Sequence, residues 1–208
     1  MIHLTNFFEE ALTNYYGAEI LQRLRGVKVG ICGAGGLGSN CAVHLVRSGI
    51  TRLRIIDFDR VEYSNLNRQF FFLDQLGCPK VESLRENLLR INPGAEIEVV
   101  AERLTSDNAL MLLEGCDIIV EAFDLAERKA ELVSAVFSDG RPLVACSGIA
   151  GYGSSDRIKV RKVCPNFLLV GDMESDTADA PPYSAIVGIA AAKEADAVIE
   201  YILNGGWK

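Results

Sequence analysis

The sequence predicts a doubly wound α/β domain with a mainly parallel sheet and antiparallel strands added near the C-terminus. Short apolar runs alternate with segments of helical periodicity, and a glycine-rich turn follows the first run. After residue 147 the pattern changes, because charged and apolar residues alternate over 156–163, as in an antiparallel strand with one solvent-facing side. Because the first strand, the glycine turn, a helix and the next strand form a right-handed βαβ unit, these strands are expected to run parallel.

The elements are predicted in order from the N-terminus. Aromatic and aliphatic residues at helical spacing predict one amphipathic helix over residues 5–24, which ends at Arg25-Gly26. The glycine turn lies between a strand at 27–32 and a helix that ends near Gly49, a helix-stop signal. Further strands are predicted at 53–57, 97–100, 117–121, 142–146 and 167–170, and further helices at 79–92, 106–114, 125–137 and 184–203.

Composition and charge exclude several classes of protein. The chain has 208 residues, of which 49% are hydrophobic and 24% charged, and these values fit one globular domain. A formal net charge of -7 argues against nucleic acid and anionic membranes as partners. No secretory signal is evident, and the apolar stretch at 183–192 is shorter than the roughly 20 residues that cross a bilayer. The six cysteines form no C-x-x-C pair, which predicts free thiols in a reducing cytoplasm and no zinc site.

Gly33-Ala34-Gly35-Gly36-Leu37-Gly38 is the motif around which the predicted site is built. Helix-start N–H groups are unpaired, and glycine lets a ligand approach the backbone, so the turn can hold a phosphate. Asp57 closes the second strand 19 residues after Gly38 (57 − 38), where a carboxylate can accept hydrogen bonds from a ribose. Up to this point the motif is equally compatible with NAD and with ATP.

The loop after the second strand separates these two ligands. It returns Asn65, Arg68 and Lys80 towards the glycine turn, and two cations suit a triphosphate whose β- and γ-phosphates leave as pyrophosphate. Asp124, just beyond the fourth strand, can hold the accompanying Mg²⁺, although Asp also commonly caps a helix such as the one predicted from residue 125. We therefore expect ATP and Mg²⁺ as cofactors.

Five ordered motifs resemble the ThiF/MoeB/HesA family, which is related to the ubiquitin-activating enzymes. They are residues 33–39, Asp57-x-Asp59, residues 64–70, residues 79–82 and residues 90–93. The resemblance is dense over 19–148 and implies a Rossmann-like sheet that binds Mg·ATP and adenylates the C-terminal glycine of a small ubiquitin-like sulfur carrier. We interpret residues 1–208 as one adenylation domain, with an N-terminal helix at 1–25, a nucleotide-binding core at 27–148, and antiparallel strands, a crossing loop and a final helix at 149–208.

The resemblance also implies roles for individual residues. For Asp57 it implies a ribose contact, and for Asn65, Arg68 and Lys80 phosphate contacts. Arg68, Lys80 and Asp124 are the catalytic candidates, Asp124 through the metal ion. The nucleotide-binding candidates lie in the glycine turn and in the motifs that follow it: Gly33, Gly35, Gly36, Gly38, Asp57, Asp59, Asn65, Arg68, Gln69 and Lys80.

Three features depart from typical longer members of this family. No C-x-x-C pair is present for a structural zinc, although Cys164 stands where one would begin. Residues 171–182 contain no cysteine that could handle a thiocarboxylate, and no arginine precedes Arg23 to reach a partner subunit's active site. The chain most resembles the short form of the family, which activates a ThiS-like carrier in thiamine biosynthesis. Cys164 is the thiol that we expect to be the most exposed.

The function that the resemblance implies is ATP-dependent adenylylation of the C-terminal Gly-Gly of a ThiS-like carrier, with release of pyrophosphate, and we expect a cytoplasmic homodimer. Activation of a MoaD-like or another ubiquitin-like carrier is the nearest alternative. From other classes, an NAD(P)-binding oxidoreductase and a non-catalytic carrier-binding scaffold stay open. The acidic residues 171–182 are compatible both with a plain solvated linker and with a loop that closes over the carrier tail.

Overall fold

The computed structural model describes residues 6–124, 126–153 and 155–208. Its seven strands are β1 (Lys28–Cys32), β2 (Arg52–Ile56), β3 (Glu96–Val100), β4 (Ile118–Glu121), β5 (Leu143–Cys146), β6 (Lys159–Cys164) and β7 (Phe167–Gly171). They form one sheet in the order β3-β2-β1-β4-β5-β7-β6, in which only the β6–β7 pair is antiparallel. The predicted fold class, a Rossmann-like sheet with antiparallel strands near the C-terminus, is confirmed.

The helices are α1 (Phe7–Tyr16), α2 (Ala18–Arg25), α3 (Gly36–Arg47), α4 (Lys80–Ile91), α5 (Ala109–Leu112), α6 (Ala126–Phe137) and α7 (Ser184–Asn204). Short 3₁₀ turns occur at Tyr63–Asn65, Leu73–Gln75 and Ser155–Arg157. Of the helices in the described part of the chain, none combines the length and apolar character needed to span a membrane.

The helices cover both faces of the sheet. One hydrophobic cluster joins the central strands to α2, α3, α4 and α7, and a second joins β4 to α5 and α6. Strand β1 is buried along its whole length because it is covered on both sides, which explains why no charged residue follows Lys28 in it. Strand β6, at one end of the sheet, is exposed from Lys159 to Val163.

The single N-terminal helix predicted over 5–24 is wrong, because the structure contains two helices that meet at Gly17. The φ angle of Gly17 is 86°, a left-handed value that ends α1, and its N–H donates to the Thr13 carbonyl. The helical spacing nevertheless continues across the break, since α1 buries Leu12 and α2 buries Leu21 in the same hydrophobic cluster.

Two further boundaries differ from the sequence prediction. The helix predicted over 106–114 is reduced to the single turn of α5. The Asn108 side-chain oxygen accepts hydrogen bonds from the Thr105 N–H and hydroxyl, at 2.8 and 3.2 Å, and such local bonds compete with helix formation. The strand predicted from residue 156 begins only at Lys159, because a 3₁₀ turn occupies Ser155–Arg157.

One carboxyl group interrupts the apolar packing of α7. Glu194 is fully buried, and neither side-chain oxygen has a hydrogen-bond partner among the described residues. Burial raises the pKa of Glu194 well above its ordinary value of 4.5, the charge of Lys129 opposes this shift, and the charge of Glu121 adds to it. The native state therefore holds this proton more tightly than the unfolded chain does.

Replacing Glu194 with glutamine is expected to reduce the dependence of stability on pH. While Glu194 is protonated in the native state and ionised in the unfolded state, it lowers the free energy of unfolding by up to about 1.4 kcal/mol per pH unit as pH rises above 4.5. Glutamine does not titrate, so this contribution disappears. Urea unfolding at acidic, neutral and alkaline pH measures the slope. The matched control is Glu200→Gln on the exposed side of α7, which should keep the wild-type slope; an unchanged slope in Glu194→Gln would contradict the expectation.

Candidate nucleotide-binding site

A cleft of about 640 Å³ opens at the carboxyl ends of the parallel strands, where α/β sheets generally bind ligands. The start of α3 forms one wall, the segment after β4 forms another, and residues 175–178 of the crossing loop (residues 171–182) also line the cleft. The cleft brings together seven of the predicted site residues: Gly35, Gly36, Asp59, Arg68, Gln69, Lys80 and Asp124.

The four glycines of the turn occupy two kinds of position. Gly35 and Gly36 line the cleft, whereas Gly33 and Gly38 close the turn behind it. Gly33 has a φ angle of 106°, and a Cβ atom on Gly38 would overlap its carbonyl oxygen. The backbone N–H groups at the start of α3 are therefore presented to the cleft by a turn that tolerates no side chain at either closing position.

Asp57 holds the glycine turn through a hydrogen bond to its backbone. Its two carboxylate oxygens accept hydrogen bonds from the Ala34 N–H at 2.6 Å and from the Asp59 N–H at 2.8 Å. Asp57 is not among the residues that line the cleft. The structure thus gives it a bracing contact with the turn that sequence reasoning missed, and its contact with a ribose stays a prediction.

Two polar residues of α3 tie the following loop to the glycine turn. The Ser39 hydroxyl donates to the Gly35 carbonyl at 2.6 Å and accepts from the Phe70 N–H at 3.0 Å. The Asn40 amide donates to the carbonyls of Gly36 and Arg68 at 2.7 and 2.9 Å. Ser39 is included in the sequence prediction only as the end of the motif at residues 33–39, and Asn40 is not included. The signal that could have shown their role is a polar pair directly after the glycines of a largely apolar helix.

The two predicted cations reach the cleft in different ways. The Lys80 ammonium lies 2.9 Å from an Asp59 carboxylate oxygen, and only 6% of Lys80 is exposed. Arg68 donates from its guanidinium to the Ser64 carbonyl at 3.1 Å and to the Asn67 side chain at 2.8 Å. No ion pair found among the described residues involves Arg68, so its positive charge is available to an anion in the cleft.

The two predicted amides have different surroundings. Gln69 lines the cleft, and within the described ranges its buried side-chain oxygen has no hydrogen-bond partner. Asn65 instead braces the loop, because its side-chain oxygen accepts from the Glu62 N–H at 2.9 Å and its carbonyl accepts from the Arg68 and Gln69 N–H groups. Asn65 does not line the cleft, and its phosphate contact stays a prediction.

Asp124 stands in the wall of the cleft just past β4. The alternative that it caps the next helix depends on residue 125, which lies outside the described residues. Across the described residues, no group of three or more His, Cys, Asp or Glu side chains could hold a metal ion by itself. The Asp124 carboxylate in the wall of this cleft fits Mg²⁺ that arrives bound to phosphates, since this ion usually takes one or two protein carboxylates and completes its shell with phosphate and water.

Comparison with known proteins decides the family. Residues 8–204 match the ThiF family. The chain belongs to this family. It is 34% identical over 142 residues to the sulfur carrier protein adenylyltransferase of Thermus thermophilus, covering 68% of the chain and 52% of that protein. It is 32% identical over 161 residues to tRNA threonylcarbamoyladenosine dehydratase 2 of Saccharomyces cerevisiae, covering 74% of the chain and 36% of that protein.

The chain therefore spans between about a third and a half of the length of these two relatives. The fold of the chain also matches that of a solved structure. The crystal structure of Escherichia coli tRNA N6-threonylcarbamoyladenosine dehydratase, TcdA, in complex with ATP superposes with a TM-score of 0.85 at 23% identity. The match covers 94% of this chain and 93% of that chain, which shows that the whole architecture is shared.

The crossing loop of this ThiF-family chain is not a plain solvated linker, because side-chain contacts anchor it. Asp172 is buried, its Oδ1 accepts from the N–H groups of Glu174 and Ser175 at 3.0 and 2.8 Å, and its Oδ2 lies 3.2 Å from the Arg157 guanidinium. The Ser175 hydroxyl accepts from the Ala150 N–H at 2.9 Å. These contacts hold the loop across the cleft, and closure over a carrier tail stays a prediction.

Replacing Asp172 with asparagine is expected to loosen this loop. Burial opposes ionisation, but hydrogen bonds from the Ser175 and Glu174 N–H groups hold the pKa of Asp172 below its ordinary value of 3.8. The carboxylate therefore stabilises the loop above pH 3.8, and this stabilisation is lost as pH falls through the folded pKa. Asparagine lacks the charge that Arg157 needs, so amide hydrogen exchange of the loop should be about tenfold faster. Asp179→Asn, exposed in the same loop, should leave exchange unchanged; equal rates in both variants would contradict this role.

The thiols of the ThiF-family chain differ from the prediction in one respect. Cys78 is the exposed thiol, whereas Cys164 is half-buried and donates to the Asn166 side chain at 3.0 Å, so the expectation for Cys164 is wrong. Cys146 lines the cleft, but it is buried, and burial raises the pKa of its thiol well above the ordinary value of 9.0. This thiol is protonated at neutral pH and is a poor nucleophile.

Proposed function

We propose that this chain is an ATP-dependent adenylyltransferase that activates the C-terminal glycine of a ThiS-like sulfur carrier and releases pyrophosphate, in the thiazole branch of thiamine biosynthesis. One observation carries the proposal: a single cleft joins the open N–H groups of the Gly35-Gly36 turn to Arg68, Lys80 and Asp124. Membership of the ThiF family and the match to an ATP-bound structure of the same fold support ATP as the nucleotide.

The reaction needs little acid–base chemistry from the protein. The attacking group is a C-terminal carboxylate with a pKa of about 3.5, which is already ionised at neutral pH. Its oxygen forms a bond to the α-phosphorus while the bond between that phosphorus and the bridging oxygen of pyrophosphate breaks. The chain must hold the two reactants in line and neutralise the departing charge, and Arg68 and Lys80 supply positive charge for that purpose.

Mg²⁺, when bound with ATP, neutralises further phosphate charge, and Asp124 would hold it. Asp59 keeps the Lys80 ammonium at the edge of the cleft before any phosphate arrives. The open side-chain oxygen of Gln69 is a buried acceptor that a ribose hydroxyl or an adenine amino group could satisfy, which removes the energetic penalty of leaving it unpaired.

The class of carrier is supported by different observations. The relative from Thermus thermophilus is named for a sulfur carrier protein, and the sequence motifs resemble the short form of the family that acts on ThiS-like carriers. A MoaD-like carrier is the nearest alternative. The relative from yeast is named for a modified tRNA nucleoside, but a net charge of -7 disfavours tRNA, because binding a polyanion requires a basic surface.

ATP/[³²P]pyrophosphate exchange tests the proposal. We expect exchange that depends on a ThiS-like carrier ending in Gly-Gly and is absent with the same carrier lacking its last glycine. A MoaD-like carrier and tRNA serve as parallel arms, and stimulation by either alone would replace ThiS as the substrate. Carrier binding without exchange would favour a non-catalytic scaffold, and binding of a nicotinamide cofactor in place of ATP would favour an oxidoreductase.

We further propose that the protein works as a homodimer in the cytoplasm. All six cysteines are free thiols, which suits a reducing compartment. Phe7 and Tyr15 of α1 are 76% and 83% exposed, and such aromatic residues can pack at a contact between subunits. Light scattering coupled to size-exclusion chromatography tests the oligomeric state, and a monomer at micromolar concentration would exclude the dimer.

A further inference from the structure

A buried ion pair stands beside the nucleotide cleft. Glu121, the last residue of β4, has no exposed surface, and both of its carboxylate oxygens lie 3.2 Å from the ammonium of Lys129 on α6. Lys129 itself lines the cleft. Neither residue belongs to the motifs that predicted the site.

Glu121 precedes and Lys129 follows the short segment that carries Asp124. Glu121 also accepts a hydrogen bond from the Phe123 N–H at 2.7 Å, which fixes the first turn of the backbone after β4. Lys129 holds the beginning of α6 to the same carboxylate. The Glu121 side chain therefore makes one contact before Asp124, with the Phe123 N–H, and one after it, with the Lys129 ammonium.

The same segment packs against the glycine turn. The Ala122 N–H donates to the Cys32 carbonyl at 2.9 Å, and a Cβ atom on Gly33 would come within 2.8 Å of the Ala122 carbonyl oxygen. A Cβ atom on Gly38 would come within 3.2 Å of the Ala122 methyl group. Any displacement of this segment would change the distance between Asp124 and the turn that holds the phosphates.

Burial distinguishes this pair from the surface ion pairs. Pairs between exposed side chains contribute little to stability, whereas a carboxylate without exposure that lost its cation would be left uncompensated. The ammonium of Lys129 is thus held by the buried Glu121 carboxylate, and the Lys129 side chain also lines the cleft.

We propose that Glu121 and Lys129 position Asp124 for the metal ion that accompanies the nucleotide, and that Lys129 is a positioning residue rather than a phosphate ligand. This inference rests on the proposed function, because it assigns Asp124 to Mg²⁺. Groups that orient a metal ligand commonly change metal affinity by about 10- to 100-fold when they are removed.

The test measures binding of an ATP analogue with a non-hydrolysable α,β-bridge by calorimetry at increasing Mg²⁺, and it needs no turnover. Mg²⁺ is expected to raise the affinity of the protein for the analogue, and the readout is the Mg²⁺ concentration that gives half of this increase. In Lys129→Met we expect this concentration to rise about tenfold, while the affinity for the metal-free analogue stays unchanged. Lys129→Arg should restore the wild-type value to within about threefold, because it keeps the charge. The matched control is Arg128→Met, a neighbouring cation of α6 that does not line the cleft.

Glu121→Gln provides a second variant: it keeps one oxygen for the Phe123 N–H, replaces the other with an amide NH2 group and removes the negative charge that faces Lys129. It should shift the Mg²⁺ dependence in the same direction as Lys129→Met. An unchanged Mg²⁺ dependence in both variants would overturn the inference, even if their stability fell, and so would a loss of metal-free affinity in Lys129→Met. A wild-type protein with this Mg²⁺ response but no carrier-dependent exchange would remove the proposed function and leave the positioning role in place.

Discussion

Replacing Gly38 with alanine is expected to abolish nucleotide binding and to lower the free energy of unfolding by about 2–5 kcal/mol. The added methyl group would overlap the Gly33 carbonyl oxygen and press on Ala122, and these backbone-bound groups have no room to retreat. The turn between β1 and α3 would have to open, which removes the N–H groups that face the cleft. Urea unfolding and calorimetric titration with ATP measure the two effects.

Gly188→Ala is the matched control for this change. Gly188 also lies in a helix, α7, but no atom lies within 4 Å of the position that its Cβ would occupy. Alanine is the better helix former, so this variant should be as stable as the wild type or up to about 1 kcal/mol more stable. A Gly38→Ala protein that resembles Gly188→Ala in stability and ATP affinity would contradict the proposed role of the turn.

Replacing Lys80 or Arg68 with alanine is expected to lower the rate of carrier-dependent exchange by about 10²- to 10³-fold, as the loss of one preorganised charge-stabilising group generally does. The Lys80 ammonium is almost fully buried at the cleft wall, and Arg68 keeps its charge free of carboxylate partners in the described part of the chain. Steady-state exchange at saturating ATP measures the effect, while circular dichroism checks the fold.

Arg85→Ala is the matched control for the two cation variants. Arg85 belongs to α4 like Lys80, but it is exposed and does not line the cleft. Its removal should leave exchange within about twofold of the wild type, because exposed ion pairs contribute little. Near-normal exchange in both Lys80→Ala and Arg68→Ala would refute their assignment to the departing phosphates.

The fold could be predicted because its evidence is local. The run at Lys28–Cys32 and the glycines after it specify a strand, a turn and a helix by periodicity and by backbone freedom alone. The break at Gly17 could not be predicted in the same way, because α1 and α2 bury their leucines in one cluster and so preserve the spacing of a continuous helix.

Several site residues could be predicted because single motifs carry them together, and Asp124 could be predicted from its place just after a strand. Arg68 and Gln69 lie near the glycine turn because their loop is bonded to α3, and Lys80, at the start of α4, pairs with Asp59 in the cleft. Ser147 and Thr177 enter the same cleft through the parallel pairing of β5 with β7, which the spacing of residues along the chain does not reveal. Lys129 was missed because a helical lysine is usually solvated, and its buried partner becomes evident only in three dimensions.

Strand β6 has a consequence for how molecules of this protein meet one another. It ends the sheet, and a terminal strand leaves a row of N–H and C=O groups on which a strand from another molecule could assemble. Lys159, Arg161 and Lys162 stand along that exposed strand. If the β6 strands of two copies paired, these cations would lie close together and repel one another. This repulsion disfavours growth of the sheet from one molecule to the next and the aggregation that such growth begins.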